Sequence, residues 1–266
     1  MPLTPLLRQY DLVLLDLDGC VWLGDESTPG APEAVTQLRG AGKAVAFLTN
    51  DSRLMPEDYV RKLWALGLQA GLEEVITAGS ALQHALAERH THKSAFVIGS
   101  DAVFRHAADA GCRIVNGTDR AEEAEVVVVA GHDELTFAEL RVATRALLRG
   151  AELLAADKDP VYPASDGMTP GTGAIVAALE FASGTVANSV GKPDTQMFET
   201  ALDRLGSGRA LMIGDRIEAD LAGAAAAGID GAIVLSGIAQ RAEAEAASDP
   251  APVGIAATLH ELVVAS

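Results

Sequence analysis

Four apolar runs along the chain each stop at polar residues suited to chemistry. Leu12-Val13-Leu14-Leu15 stops at Asp16, and Ala44–Leu48 at Thr49-Asn50-Asp51-Ser52. Ala210–Ile213 stops at Gly214-Asp215, and Ala232–Leu235 at Ser236-Gly237. Short apolar runs without alternation predict strands buried on both faces, as in a parallel sheet. Helical patterns fall between them, over Pro32–Arg39, Pro56–Ala65, Thr195–Leu205 and Ala219–Ala227. Strand alternating with helix predicts an α/β fold with a doubly wound parallel sheet. Such sheets bind ligands beyond the carboxyl ends of their strands. Two aspartates and a threonine fall at those ends.

The middle of the chain predicts a second α/β unit. Its apolar runs are Ala95–Ile98, Arg113–Val115, Val126–Ala130 and Leu153–Ala155. Pro170-Gly171-Thr172-Gly173 then leads into a helix, Ala174–Ala182, closed by Gly184. Gly79-Ser80 and Gly184–Gly191 read as linkers. The expected organisation is a core over 1–79 and 185–266, interrupted by an inserted domain over 80–184. A chain of 266 residues accommodates two domains comfortably.

Composition narrows the partners. The excess of 37 acidic over 20 basic residues, a net charge of −17, disfavours nucleic acid and anionic membranes. Aromatics at 4% leave little for a base-stacking platform. No stretch approaches the ~20 apolar residues of a membrane span. Pro2, Pro5, Arg8 and Asp11 interrupt the start, so no secretory leader is expected. Cys20 and Cys112 make no disulfide framework or metal knuckle. The expectation is a soluble cytoplasmic protein.

Burying carboxylates at a strand end is costly without compensation, so Asp16 and Asp18 call for a cation or a reaction. Asp16 is placed to attack phosphorus, splitting one displacement into two. Asp18 is placed to give a proton to the leaving oxygen and later take one from water. Gly19 allows the sharp turn after them. Asp215 offers a further carboxylate for a hard cation such as Mg²⁺. Thr49 offers a hydroxyl to phosphate oxygens, and Lys192 an ammonium. Plainer readings stand beside these. Aspartates are common in turns, Lys192 could be a surface lysine before a helix, Asp220 could be a solvated helix carboxylate, and Glu218 reads as one. Cys20 reads as a small buried residue, and His90-Thr91-His92 as a polar loop. Gly171-Thr172-Gly173 lacks the Lys-Ser/Thr of a nucleotide loop.

DLDG (16–19), Thr49, Lys192 in GKPD and GDRIEAD (214–220), in that order, resemble the four motifs of the haloacid dehalogenase superfamily of phosphatases. Trp22, Thr49-Asn50 and the PGTG segment resemble its NagD / p-nitrophenyl phosphatase branch, which includes phosphoglycolate, glycerol-3-phosphate and pyridoxal-phosphate phosphatases. The resemblance covers nearly the whole chain. It implies a Rossmann-like core with an inserted α/β cap, and Mg²⁺-dependent hydrolysis of a small-molecule phosphate monoester. It implies Asp16 as nucleophile forming an aspartyl-phosphate and Asp18 as general acid/base. Thr49, Asn50 and Lys192 would grip the phosphate. The metal set would be Asp16, Asp215, the backbone carbonyl of Asp18, and Asp220 in support. Homodimerisation through the cap is open on the same ground.

The chain departs from the branch twice. Asn50-Asp51 stands where two asparagines are usual. Asp157-Lys158-Asp159-Pro160 stands in a cap loop that commonly reads Asn-Pro-Asp before its proline, and that loop faces the substrate in relatives. Asp157 is therefore a candidate substrate-binding residue. With Asp159 and Asp51 it suits a hydroxyl-bearing leaving group, ranking glycerol 3-phosphate above 2-phosphoglycolate, then pyridoxal phosphate and nucleoside monophosphates. A receiver-like phospho-aspartate signalling protein and a non-catalytic binding module are the rivals. The first would lack Asp18 and the insert, and the second would be expected to have lost Asp16 or Asp18.

Overall fold

The computed structural model describes residues 2–164 and 167–265. The chain forms two compact units, one of Met1–Thr49, Pro56–Ile76 and Lys192–Ser266, the other of Asn50–Met55 and Thr77–Gly191. Each predicted apolar run is a strand. In the first sheet the order is Ile255–Ala256, Asp230–Val234, Ala210–Gly214, Leu12–Asp16, Ala44–Thr49, Val75–Thr77. The pairings described across it are parallel, with Leu12 beside both Ala210 and Ala44. All five residues of Leu12–Asp16 are buried, so both faces of this central strand are covered. Val13, Leu15, Val45, Phe47, Leu211 and Ile213 meet in one core.

Helices Ala31–Gly40, Pro56–Ala65 and Gln196–Leu205 follow their predicted spans within one or two residues. The helix expected over Ala219–Ala227 is different. It opens as a π-turn, Ile217–Leu221, and only then becomes α-helix, Ala222–Ala226. The amide of Leu221 reaches back to the Arg216 carbonyl at 3.3 Å, five residues away. A π-turn widens the backbone by one residue and re-aims side chains, commonly at functional sites. The side chain re-aimed here is Asp220.

The second unit holds a five-stranded sheet in the order Asn188–Ser189, Glu152–Ala155, Val126–Val129, Ser94–Ile98, Arg113–Ile114, parallel throughout. Two boundaries need correcting. Gly79-Ser80 is no linker but the first turn of helix Ala78–Arg89. Thr77 caps that helix through its Oγ1, which accepts from the Ser80 amide at 3.0 Å. At the other end the unit runs on past 184, because Asn188–Ser189 pairs with Leu154 and Ala155. A two-residue strand carries no apolar run to announce it. Gly184 closes helix Thr172–Ser183 in the left-handed conformation, as its position predicts. Among the described residues no helix is long and apolar enough to cross a membrane.

Burial sets where substitutions hurt. Leu15→Ala, in the fully buried central strand, should lower unfolding stability by about 2–5 kcal/mol. Phe181→Ala, at a side chain 95% exposed, should stay within about 0.5 kcal/mol. Urea midpoints with unchanged slopes check both, and equal losses would refute this account of the core.

Candidate active site

Strand register assembles the site in the first unit. Asp16 ends its strand beside Leu48, one residue before Thr49, and the neighbouring strand ends at Gly214, one residue before Asp215. Three glycines let the loops close on these carboxylates. A β-carbon at Gly19 or Gly237 would overlap the Asp215 carboxylate, and one at Gly214 would overlap that of Asp220. Gly19, at φ +90°, also makes the turn that only glycine adopts readily. Its carbonyl accepts from the Ser236 hydroxyl at 2.6 Å, tying this loop to the segment just after strand Asp230–Val234.

Asp16, Asp215 and Asp220 bring carboxylate oxygens within 4.8 Å of one another, and all three are buried. Lys192, 3% exposed, donates through Nζ to Asp16 Oδ1 and to Asp220 Oδ1, the latter at 2.7 Å. Asp220 Oδ2 accepts from the Arg216 amide at 3.0 Å, and Asp215 Oδ2 from the Ile238 amide at 2.6 Å. Burial pushes the Asp16 carboxyl well up, against the pull of Lys192 and helped by Asp220 and Asp215. Burial, then the Asp220 charge, takes Asp215 to about 6. Lys192 goes the other way from what burial alone would do. Asp16 and Asp220 hold its proton well above the usual lysine range. One ammonium thus faces three carboxylates.

That imbalance tests whether a metal fits. Asp215 Oδ1 is buried and has no hydrogen-bond partner. Such an orphan is costly in a dry site, and a cation would satisfy it. The donors are all oxygens, the set a hard dication takes. No cluster of metal-ligating residues involving histidine or cysteine occurs among the described residues. The residues present fit the ion.

Asp18 stands apart from the carboxylate cluster. Its Oδ1 accepts from the Trp22 indole Nε1–H at 2.8 Å, and its Oδ2 from the Thr49 hydroxyl at 3.5 Å. Thr49 is thus beside the predicted acid/base. Asn50 and Asp157 belong to the second unit. There Asn50 Nδ2 donates to Asp159 Oδ2 at 3.2 Å, and Asp157 Oδ1 accepts from the Asp159 amide at 3.0 Å. Asp157 also bonds Thr172, and burial followed by the Asp159 charge raises it to about 7. Asp51 is paired with Arg53, whose Nε and Nη2 reach its two oxygens at 2.9 and 3.1 Å. The extra charge at position 51 is therefore compensated locally. His90-Thr91-His92 is a loop after helix Ala78–Arg89, exposed at Thr91 and His92, but His90 itself is buried, with Nε2 3.4 Å from Glu152.

Ser236, Gly237 and the Ile238 amide carry no signal in the sequence beyond the polar end of the run Ala232–Leu235, and Trp22 stands out there only as a marker of the family. Cys20 is buried, as its size predicts, and its thiol is pushed well up by burial and then by Asp16.

Residues 13–113 match the sequence model of the haloacid dehalogenase-like hydrolases, and residues 189–262 match an HAD-hydrolase-like model. Human chronophin is 35% identical over 277 residues, covering 98% of this chain and 90% of that protein. The D-glycerol 3-phosphate phosphatase of Mycobacterium tuberculosis is 33% identical over 233 residues, covering 87% of this chain and 64% of that one. The crystal structure of the M. tuberculosis glycerol phosphate phosphatase in complex with magnesium superposes with a TM-score of 0.88 at 31% identity, covering 98% and 78% of the two chains. The p-nitrophenyl phosphatase from Archaeoglobus fulgidus gives 0.85 at 28% identity, covering 96% and 98%. With its four motifs in order and relatives of this similarity along almost its whole length, the chain belongs to the haloacid dehalogenase-like hydrolases, in their NagD-like phosphatase branch.

Proposed function

We propose that this chain hydrolyses the phosphate monoester of a small metabolite through an aspartyl-phosphate on Asp16, with Mg²⁺ as cofactor. The observation that carries this reading is the clustering of the Asp16, Asp215 and Asp220 carboxylates, with Lys192 donating to Asp16 and Asp220 and with Asp215 Oδ1 left unpartnered. Asp16, Asp215 and the backbone carbonyl of Asp18 would hold the ion, with Asp220 behind. When bound, Mg²⁺ would draw charge from the phosphoryl oxygens and orient the group.

In the first step an Asp16 carboxylate oxygen attacks phosphorus. The ester P–O bond breaks as Asp18 gives its proton to the leaving oxygen, and the alcohol departs. In the second step Asp18 takes a proton from water, whose oxygen attacks the same phosphorus. The bond to Asp16 breaks, phosphate leaves, and the carboxylate is restored. Lys192 holds Asp16 in line and offsets the charge gathered around phosphorus. Thr49 offers its hydroxyl to a phosphoryl oxygen or to Asp18, and Asn50 would complete the grip. A receiver-like protein would have no use for Asp18 in its indole-held position.

The reading of the leaving group rests on the second unit. Arg53 is engaged by Asp51 and by Asp133, 3.7 Å away, and Lys158 by Glu180 at 3.0 Å. On the resemblance that places loop 157–160 toward the substrate, that loop offers carboxylates and a committed lysine. A second carboxylate on the leaving group would find no strong partner there, whereas hydroxyls would. Glycerol 3-phosphate therefore ranks above 2-phosphoglycolate, with pyridoxal phosphate and nucleoside monophosphates below. The similarity to a D-glycerol 3-phosphate phosphatase supports placing glycerol 3-phosphate first.

Three outcomes are expected. Asp16→Asn should abolish turnover while keeping the wild-type thermal midpoint within a few degrees, and near wild-type phosphate release by this variant would sink the mechanism. Activity should vanish with a chelator and return with Mg²⁺, while Ca²⁺, with its looser coordination, restores little. Full activity in the chelator would contradict the site. Finally, kcat/KM should be higher for glycerol 3-phosphate than for 2-phosphoglycolate, and a clear preference for phosphoglycolate would overturn the ranking.

A further inference from the structure

Asp18 can donate and accept protons usefully only if its carboxylate is held toward the reacting oxygen. Its Oδ1 accepts from the Trp22 Nε1–H at 2.8 Å, and its Oδ2 from the Thr49 hydroxyl at 3.5 Å. The indole is 1% exposed, packed in the main core with Leu15, Leu17 and Phe47. Its backbone is equally fixed. Trp22 N donates to the Leu17 carbonyl at 3.0 Å, its carbonyl accepts from Gly19 N at 2.7 Å, and it pairs with Ser27 in a short hairpin. Residues 17–22 therefore form a closed loop in which Asp18 and Trp22 are bridged at its base through backbone as well as side chain. The Lys62 ammonium lies 4.4 Å from the Trp22 ring centroid, in cation–π contact, and draws electron density from the ring. A ring so polarised is a better N–H donor.

We propose that Trp22 is a positioning residue for proton transfer, with its N–H fixing one Asp18 oxygen so that the other is presented to the leaving group. The inference rests on Asp18 being the general acid. Phenylalanine at this position would fill much of the same core but could not donate, removing that restraint on the Asp18 Oδ1. The deficit should then fall on substrates that need their leaving oxygen protonated.

The experiment compares phenyl phosphate with p-nitrophenyl phosphate in the Mg²⁺-loaded full chain. Phenolate is the poorer leaving group of two of nearly equal shape, and kcat/KM reports only steps through its departure, so the later attack of water does not enter. Trp22→Phe should lower kcat/KM for phenyl phosphate about tenfold and for p-nitrophenyl phosphate about threefold or less, a fraction of the roughly 10²–10⁴ that a positioned acid supplies. Asp18→Asn should show the same asymmetry more steeply. Should Trp22→Phe fold poorly, benzothienylalanine at position 22 in a Trp64→Phe background removes the N–H while keeping the indole's shape, and the same asymmetry is expected. Equal losses on both substrates, or none, in the Trp22 variants would overturn the inference while a selective Asp18→Asn leaves the acid in place. An Asp18→Asn variant without leaving-group selectivity would instead remove Asp18 from its role.

Discussion

Three carboxylates share one buried ammonium, and the surrounding structure is arranged around that imbalance. With Asp16, Asp215 and Asp220 ionised and Lys192 protonated, negative charge outweighs positive among residues no more than 5% exposed, and only the Arg216 charge adds to the pull of Lys192 on Asp215. Charges in such surroundings are expensive unless neutralised. The protein resolves part of this by raising Asp16 and Asp215 and by holding the Lys192 proton firmly. All three shift upward, because an excess of buried acids favours the proton on carboxyl and ammonium alike. A dication would complete the balance and satisfy the orphaned Asp215 oxygen at once.

Assembling that cluster demands close backbone approach, which explains features that look unrelated along the chain. Gly19, Gly214 and Gly237 come from three strand ends, yet each is required because a β-carbon would occupy carboxylate space. The π-turn at Ile217–Leu221 serves the same end. It turns Asp220 inward, where Oδ1 meets Lys192 and Oδ2 meets the Arg216 amide. A regular helix over the same residues would carry no such extra residue in its first turn. Parallel register does the rest, setting Asp16, Thr49 and Asp215 at adjacent carboxyl ends.

Much of this was legible from residue order because chemistry and pattern coincide at those ends. An unbroken apolar run that stops at an aspartate states both the strand and its functional terminus. Asp220 was ambiguous for a physical reason: helical periodicity assigns faces for a regular helix, and the π-turn breaks that assumption. Asn188–Ser189 was invisible because a two-residue edge strand needs no apolar face. Ser236, Gly237 and the Ile238 amide act through backbone and size, which sequence composition does not separate from an ordinary turn. Trp22 was visible as a large apolar residue, but its hydrogen bond depends on how the loop folds back, which no local pattern encodes.

Position 51 shows why a departure from a family motif cannot be interpreted alone. An aspartate in place of an amide adds a charge, and the simplest expectation is repulsion of anionic groups. In the structure that charge forms a two-point pair with Arg53, whose guanidinium also lies 4.3 Å from the Tyr162 ring centroid. Tyr162 in turn donates to Asp133 at 2.6 Å, and Asp133 lies 3.7 Å from Arg53. Burial alone would lower the Arg53 pKa, yet Asp51, Tyr162 and Asp133 together raise it. The aspartate is thus one member of a closed ionic and aromatic group. Its net effect on an incoming anion is set by the group, in which the arginine offsets one of two carboxylates. Substituting Asp51 singly would release Arg53 as well as remove a charge, so the consequence for specificity follows from the pair rather than from either residue.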